Sequence, residues 1–176
     1  MKTLSGVTLL RRAVRHLMCD RPAVRRCFPP AALEAIEHAI AAAEQSHQGE
    51  LRFVIEPALA LGDVWRGRSA RDRAIELFAR LGIWDTEHNA GILIYVLLAD
   101  RRVEIVADRG VHRLAGEAAW ARICARMQAD FRLGHFEAGA LAGVAEAGGL
   151  LGQHFPRAEG DTSERTNELP DRPLIL

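Results

Sequence analysis

The longest apolar run in the chain is Ile92–Ala99, and Gly91–Leu98 (GILIYVLL) constrains the fold more than any other stretch. It is apolar almost throughout and rich in β-branched residues. A strand of this kind is covered on both faces and belongs in the centre of a sheet. It is far short of the ~20 apolar residues needed to cross a bilayer. The rest of the chain must therefore supply helices for two faces and strands for two edges.

The flanking segments supply both. Leu51–Glu56 alternates, with Leu51, Phe53 and Ile55 on one side and Arg52 and Glu56 on the other, and Pro57 stops it. Ser69 is a natural N-cap, and Asp72 in the first turn complements the helix dipole. Ala74, Leu77, Phe78 and Leu81 form the buried stripe of that helix, and Gly82 ends it. Asp100–Arg102 makes a tight reversal into a third strand, Val103–Ala107, antiparallel to its predecessor. Pro29 and Pro30 open an earlier helix carrying Leu33, Ile36, Ile40 and Ala43. Two later helices span about Glu117–Leu133 and Phe136–His154. Gly139, Gly143, Gly148 and Gly149 in the last of them point to close approach of a neighbour. The expected fold is α/β: a three-layer α/β/α sandwich around a small mixed sheet, made of a βαβ unit plus an antiparallel hairpin strand.

Three divisions follow along the chain. Residues 1–28 read as a basic arm or helix, residues 29–156 as the α/β/α domain, and residues 157–176 as a disordered polar tail. The 176 residues carry no net charge, yet the first thirty hold seven basic side chains against Asp20 alone. Leu4, Val7, Leu10, Val14 and Leu17 share one helical face, with Arg11, Arg12, Arg15 and His16 mostly on the other. Such a helix can lie on an anionic membrane or dock on an acidic partner. It can also pack on its own domain, which the acidic body of the chain favours. Nucleic acid is not an expected partner, because the arm has no interleaved aromatics and the body would repel phosphates. Three cysteines, Cys19, Cys27 and Cys124, cannot all pair within the chain, which favours a reducing compartment. With no signal peptide or membrane span evident, the expected location is cytoplasmic or peripheral to a membrane.

Polar chemistry collects at two rims of the expected sheet. Where the central strand begins and the third ends stand Asp85, Glu87 and Asn89 from one segment, and Asp108, Arg109 and His112 from the other. Glu50 belongs near the same edge. Residues two apart in an extended segment point to one side, so Asp85, Glu87 and Asn89, joined by Asp108, could hold a hard cation such as Ca²⁺ or Mg²⁺. The alternative is a solvated loop whose acids cap turns. The opposite rim carries Glu56, Asp100 and Arg101. Open α/β sheets bind ligands beyond the carboxyl ends of parallel strands, which favours that rim. Asp100–Arg101 is also ordinary turn chemistry, and the polar census favours the first rim. Cys19–Arg25 has the Cys-x₅-Arg spacing of thiolate phosphatases but lacks the glycines of a phosphate cradle. No P-loop, Gly-x-Ser-x-Gly or Gly-x-Gly-x-x-Gly is present, and no two histidines fall at His-x₃-His spacing.

The segment from Arg68 to His112 resembles the TPM domain family. His88-Asn89-Ala90-Gly91 before the central strand and Asp108-Arg109-Gly110-Val111-His112 after the third carry the likeness. Asp85-Thr86-Glu87 and His154-Phe155-Pro156 resemble a bacterial subgroup of small, soluble TPM proteins. The family's usual Asn-Asn-Gly corresponds to Asn89-Ala90-Gly91, and in its Gly-Tyr-Gly-Leu-Glu the final glutamate is replaced by His112. The resemblance implies an α/β/α sandwich and no organic cofactor. Family members have been described as acid phosphatases, as binders of divalent cations and as helpers of membrane-protein complexes. Three functions are consistent with it. The first is an accessory or binding domain beside a membrane protein, with a divalent cation. The second is a metal-dependent phosphomonoesterase, with Arg109 stabilising phosphoryl oxygens and His112 as general acid. The third is a purely structural domain.

Overall fold

The computed structural model describes residues 6–157 and 167–176; Lys2 and Leu4 of the basic arm lie outside them. Helices α1 (Gly6–Met18), α2 (Arg21–Cys27) and α3 (Pro30–Glu44) lead into strand β1 (Glu50–Glu56). Helices α4 (Leu61–Trp65) and α5 (Ala70–Arg80) connect β1 to β2 (Gly91–Leu97), and a tight turn leads to β3 (Arg102–Ala107). Helices α6 (Arg109–Ala115), α7 (Glu117–Arg132) and α8 (Phe136–His154) follow, and β4 (Leu174–Ile175) comes last.

The sheet order is β3-β2-β1-β4. β1 runs parallel to β2, with Glu50 opposite Gly91 and Glu56 opposite Leu97. β3 returns antiparallel, with Ile92 opposite Ala107. All seven residues of β2 are buried, as an all-apolar strand requires. Two apolar clusters flank the sheet. One joins α2, α3, α7 and α8 to Leu51, Phe53, Ile55, Ile92, Ile94 and Val96. The other joins α1, α4 and α5 to Val54, Leu93, Tyr95 and Leu97. This is the α/β sandwich expected from the sequence.

Local chemistry accounts for the helix boundaries. Ser69 and Asp72 form a reciprocal capping box at the start of α5. Asp20 accepts a bond from the Ala23 amide at 3.0 Å and so caps α2. A Cβ at Gly143 would collide with Met127 Sδ, so glycine lets α8 close on α7. At Gly91 it would collide with the Ile83 carbonyl oxygen, so the loop after α5 crosses directly over the start of β2.

Two boundaries differ from the sequence reading. Val24 and Phe28 are fully buried, and the Phe28 ring meets Phe53, Phe131 and Phe136 edge-on at 6.4, 5.8 and 5.5 Å. The division at residue 28 therefore falls inside the main core. At the other end, residues 158–166 of the expected tail lie outside the described residues, but 167–176 return to the domain. Leu174 and Ile175 pair parallel with Val54 and Ile55, adding a fourth strand at the β1 edge. That edge offers unpaired amides and carbonyls, and a short apolar segment satisfies them despite its polar surroundings.

Candidate functional site

The amino-end rim assembles as the register dictates. Asp108 N–H donates to the Gly91 carbonyl at 2.9 Å, and the Gly91 amide donates back to Asp108 Oδ2 at 2.9 Å. A Cβ on Gly110 would lie 3.7 Å from the Asn89 carbonyl oxygen. The two loops, far apart in sequence, therefore meet. Between them Thr86 is buried, and its hydroxyl accepts from the Ala90 amide at 3.1 Å. Asn89 has φ 49°, a left-handed conformation that asparagine tolerates better than most residues.

The side chains on this rim do not pool as the sequence spacing suggested. Asp85, Glu87 and Asn89 are exposed. Asp108 is tied to the Gly91 amide, and burial pushes its carboxyl up while that bond opposes the shift. Among the described residues no group of three or more His, Cys, Asp or Glu side chains could hold a metal ion. Arg109 and His112 are exposed on the short helix α6. His112 lines an open groove of about 570 Å³ along β3, with Arg71, Glu104 and Glu117.

The opposite rim, at the carboxyl ends of β1 and β2, carries the denser network. Arg12 of α1 donates to Asp100 in the β2–β3 turn, from Nη2 to Oδ2 at 2.7 Å and from Nε at 3.0 and 3.1 Å. Its Nη2 also reaches the Arg68 carbonyl at 2.6 Å. His16 is buried, its Nδ1 accepts from the Leu59 amide at 2.9 Å, and its Nε2 lies 3.1 Å from Asp100 Oδ1. An Nδ1 that accepts carries no proton, which leaves Nε2 as the protonated nitrogen beside Asp100. Burial alone would raise the Asp100 carboxyl, but the bonds from Arg12 and His16 outweigh it and hold it below its ordinary value. Next to this cluster Arg73 grips Glu56 with two bonds of 2.9 Å, and the Tyr95 hydroxyl donates to Glu56 Oε2 at 2.6 Å. Burial and the neighbouring Glu56 push the Tyr95 phenol far above its usual range.

The turn reading of Asp100 missed this network, because its partner is 88 positions away. The available signal was the rule that α/β sheets concentrate function at their strand carboxyl ends. Here the chain fills that rim with its own α1.

The docking of α1 inverts its amphipathicity. Arg12, Ala13 and His16 face inward with the half-buried Leu9, and Arg12 is only 8% exposed. Val7, Leu10, Val14, Leu17 and Met18 face outward, with Leu17 66% and Met18 77% exposed. Arg11 and Arg15 flank this apolar stripe and are exposed, as are Arg21, Arg25 and Arg26 on α2. Helix α4, on which α1 packs, exposes Trp65. No described helix is long and apolar enough to cross a membrane.

A family model for the TPM domain matches residues 25–150. The chain belongs to the TPM domain family. Two solved structures show the same fold. One is the NMR structure of the BA42 protein from the psychrophilic bacterium Bizionia argentinensis. It is 28% identical, has a TM-score of 0.69, and aligns over 82% of this chain and 92% of that one. The other is the solution structure of an amino-terminal domain of a protein from P. gingivalis, 24% identical with a TM-score of 0.58, covering 73% and 81% of the two chains. A comparison with curated proteins finds no match. In this TPM domain the matched region begins at residue 25, so Arg12 and the rest of α1 lie before it, while their partner Asp100 lies within it.

Proposed function

We propose that this TPM protein is an accessory module that docks on an anionic lipid surface, using the outward stripe of α1 as its foot. The supporting observation is the inverted helix. A soluble domain buries most of the apolar side of an amphipathic helix, whereas here five large apolar side chains face solvent and the inward face, besides Leu9 and Ala13, spends Arg12 and His16 on internal contacts. Arginines beside an exposed apolar stripe match the chemistry of an interface, where the rings and aliphatic chains enter the acyl boundary and the cations meet lipid phosphates. Asp20 is the sole acid in the described part of α1 and α2 and the turn between them, and it is occupied in capping. Arg15 also reaches Asp100 Oδ1 at 3.4 Å, and Arg11, Arg21, Arg25 and Arg26 keep the exposed face of the two helices cationic.

Co-sedimentation with vesicles tests this reading. The full chain should pellet with phosphatidylserine-containing vesicles, stay in solution with phosphatidylcholine alone, and release as salt rises. The variant Leu10→Asp/Leu17→Asp should lose the association while keeping its cooperative unfolding. Equal pelleting of that variant, or no pelleting of the intact chain, overturns the proposal. No observation in the structure favours phosphomonoester hydrolysis over this reading.

A further inference from the structure

Residues 167–176 lie on the domain as a bound peptide would. Leu169 is buried, and Leu169, Leu174 and Leu176 pack into the apolar cluster on the α4–α5 side of the sheet. Ile175 packs into the cluster on the other side. The Leu176 amide donates to the Ile55 carbonyl at 3.1 Å, continuing the short ladder. Alternate side chains entering opposite faces beside a parallel ladder is the geometry of strand addition to a sheet edge.

Two charged side chains of β1, both buried, read the main chain of this segment. Arg52 is 8% exposed and its Nη1 donates to the carbonyl oxygens of Pro170 and Arg172, the second at 2.6 Å. Glu50 is 2% exposed and its Oε2 accepts from the Leu169 amide at 3.3 Å. Glu168 in turn accepts from the Glu87 amide, at 3.0 Å to Oε2. A guanidinium spanning two carbonyls selects an extended backbone rather than a side-chain sequence. The apolar positions select leucine and isoleucine, and Pro170 and Pro173 suit segments that leave a ladder unextended. The whole segment lies outside residues 25–150, the part of the chain that the TPM family model matches.

We propose that the β1 edge framed by Glu50 and Arg52 is a binding site for an extended, leucine-rich and proline-bearing peptide. Residues 167–176 are its tethered occupant, exchangeable for the same segment of a second copy of this chain. The tether raises the local concentration of the resident segment, so a rival in trans binds weakly until the resident is unseated.

The experiment uses the full chain carrying Leu174→Asp, which removes an apolar anchor from the resident segment and touches nothing in the receptor edge. A fluorescent peptide with the sequence of residues 167–176 is titrated into it and into the unaltered chain. The variant should bind saturably, at least about tenfold more tightly than the unaltered chain, and Arg52→Met added to the variant should abolish that gain. Amide exchange at Leu176 should rise in the variant, reporting release of the resident. Leu169→Asp provides a second unseating variant with the same expectations, should Leu174→Asp fail to unfold cooperatively. No saturable binding by a cooperatively folded chain whose Leu176 amide is released overturns the proposal. So does equal binding with and without Arg52, or a Leu176 amide that neither substitution releases.

Discussion

Arg12 Nη2 sits 2.7 Å from Asp100 Oδ2, and this contact joins the first described helix to the turn between β2 and β3. Both side chains are about nine-tenths buried, so each depends on the other to offset its desolvation. Removing Arg12 leaves Asp100 with only the weaker contacts from His16 and the exposed Arg15. Arg12→Met should therefore cost about 3 kcal/mol in denaturant unfolding. The double variant Arg12→Met/Asp100→Leu should recover part of that loss, since a paired apolar replacement leaves no orphan charge. Additive losses in the two single variants would show that the groups act separately.

Acid should loosen the same contact. Asp100 is held below its ordinary value, so its contribution is complete above the ordinary carboxylate range, about pH 4, and is lost as pH falls through the lower folded value. Amide exchange in α1 should accelerate on acidification before that of β2 does. Simultaneous loss in both elements would mean that α1 is not a separately released unit.

Asp108 has the opposite sign. Burial raises its carboxyl, so ionisation costs the folded state stability as pH rises through the ordinary value towards the raised one. Asp108→Asn keeps an oxygen for the Gly91 amide and removes that charge. Its stability should match or exceed that of the unaltered chain at neutral pH, with a flatter profile as pH rises above the ordinary carboxylate value of about 4. Asp108→Ala leaves the amide without its side-chain acceptor and should cost about 1 kcal/mol.

The scattered acids of the same rim make a prediction about cations. Calorimetric titration with Ca²⁺ or Mg²⁺ should give no stoichiometric heat, because Asp85, Glu87 and Asn89 are exposed and Asp108 is engaged with Gly91. A saturable heat that disappears in Asp85→Ala/Asp108→Ala would show that the two loops rearrange around an ion.

Two glycines separate steric need from helix propensity. Gly91→Ala drives a Cβ into the Ile83 carbonyl, where backbone must move, and should cost about 3 kcal/mol. Gly149→Ala meets nothing within 4 Å on the face of α8 that it occupies, and should stabilise by about 0.5–1 kcal/mol. Thermal unfolding of the two variants in parallel gives both values.

The middle of the molecule was legible in the residues. Gly91–Leu97 is buried along its whole length because an all-apolar strand has no face to give to water. Ser69 and Asp72 declare the start of α5 through bonds within four residues of chain. The meeting of Asn89 with Gly110 followed from strand direction alone. Sequence reasoning faltered where a partner lies far along the chain. The periodicity of α1 marks two faces but does not say which one packs, since that choice is made by Asp100, Leu59 and the Arg68 carbonyl. Leu174–Ile175 is too short to show a period, and its pairing depends on an open edge and on Arg52. The acids at Asp85 and Glu87 have the spacing of ligands, yet spacing does not reveal that the loop turns them to solvent.

The clamp on the inward side of α1 also fixes a direction in space. Because Arg12 and His16 both contact Asp100 in one turn of the sheet, rolling the helix about its own axis would break those contacts. Any flat layer that meets Leu10 and Leu17 would thus encounter the domain in a single pose, with the long axes of its strands set at a constant angle to that layer.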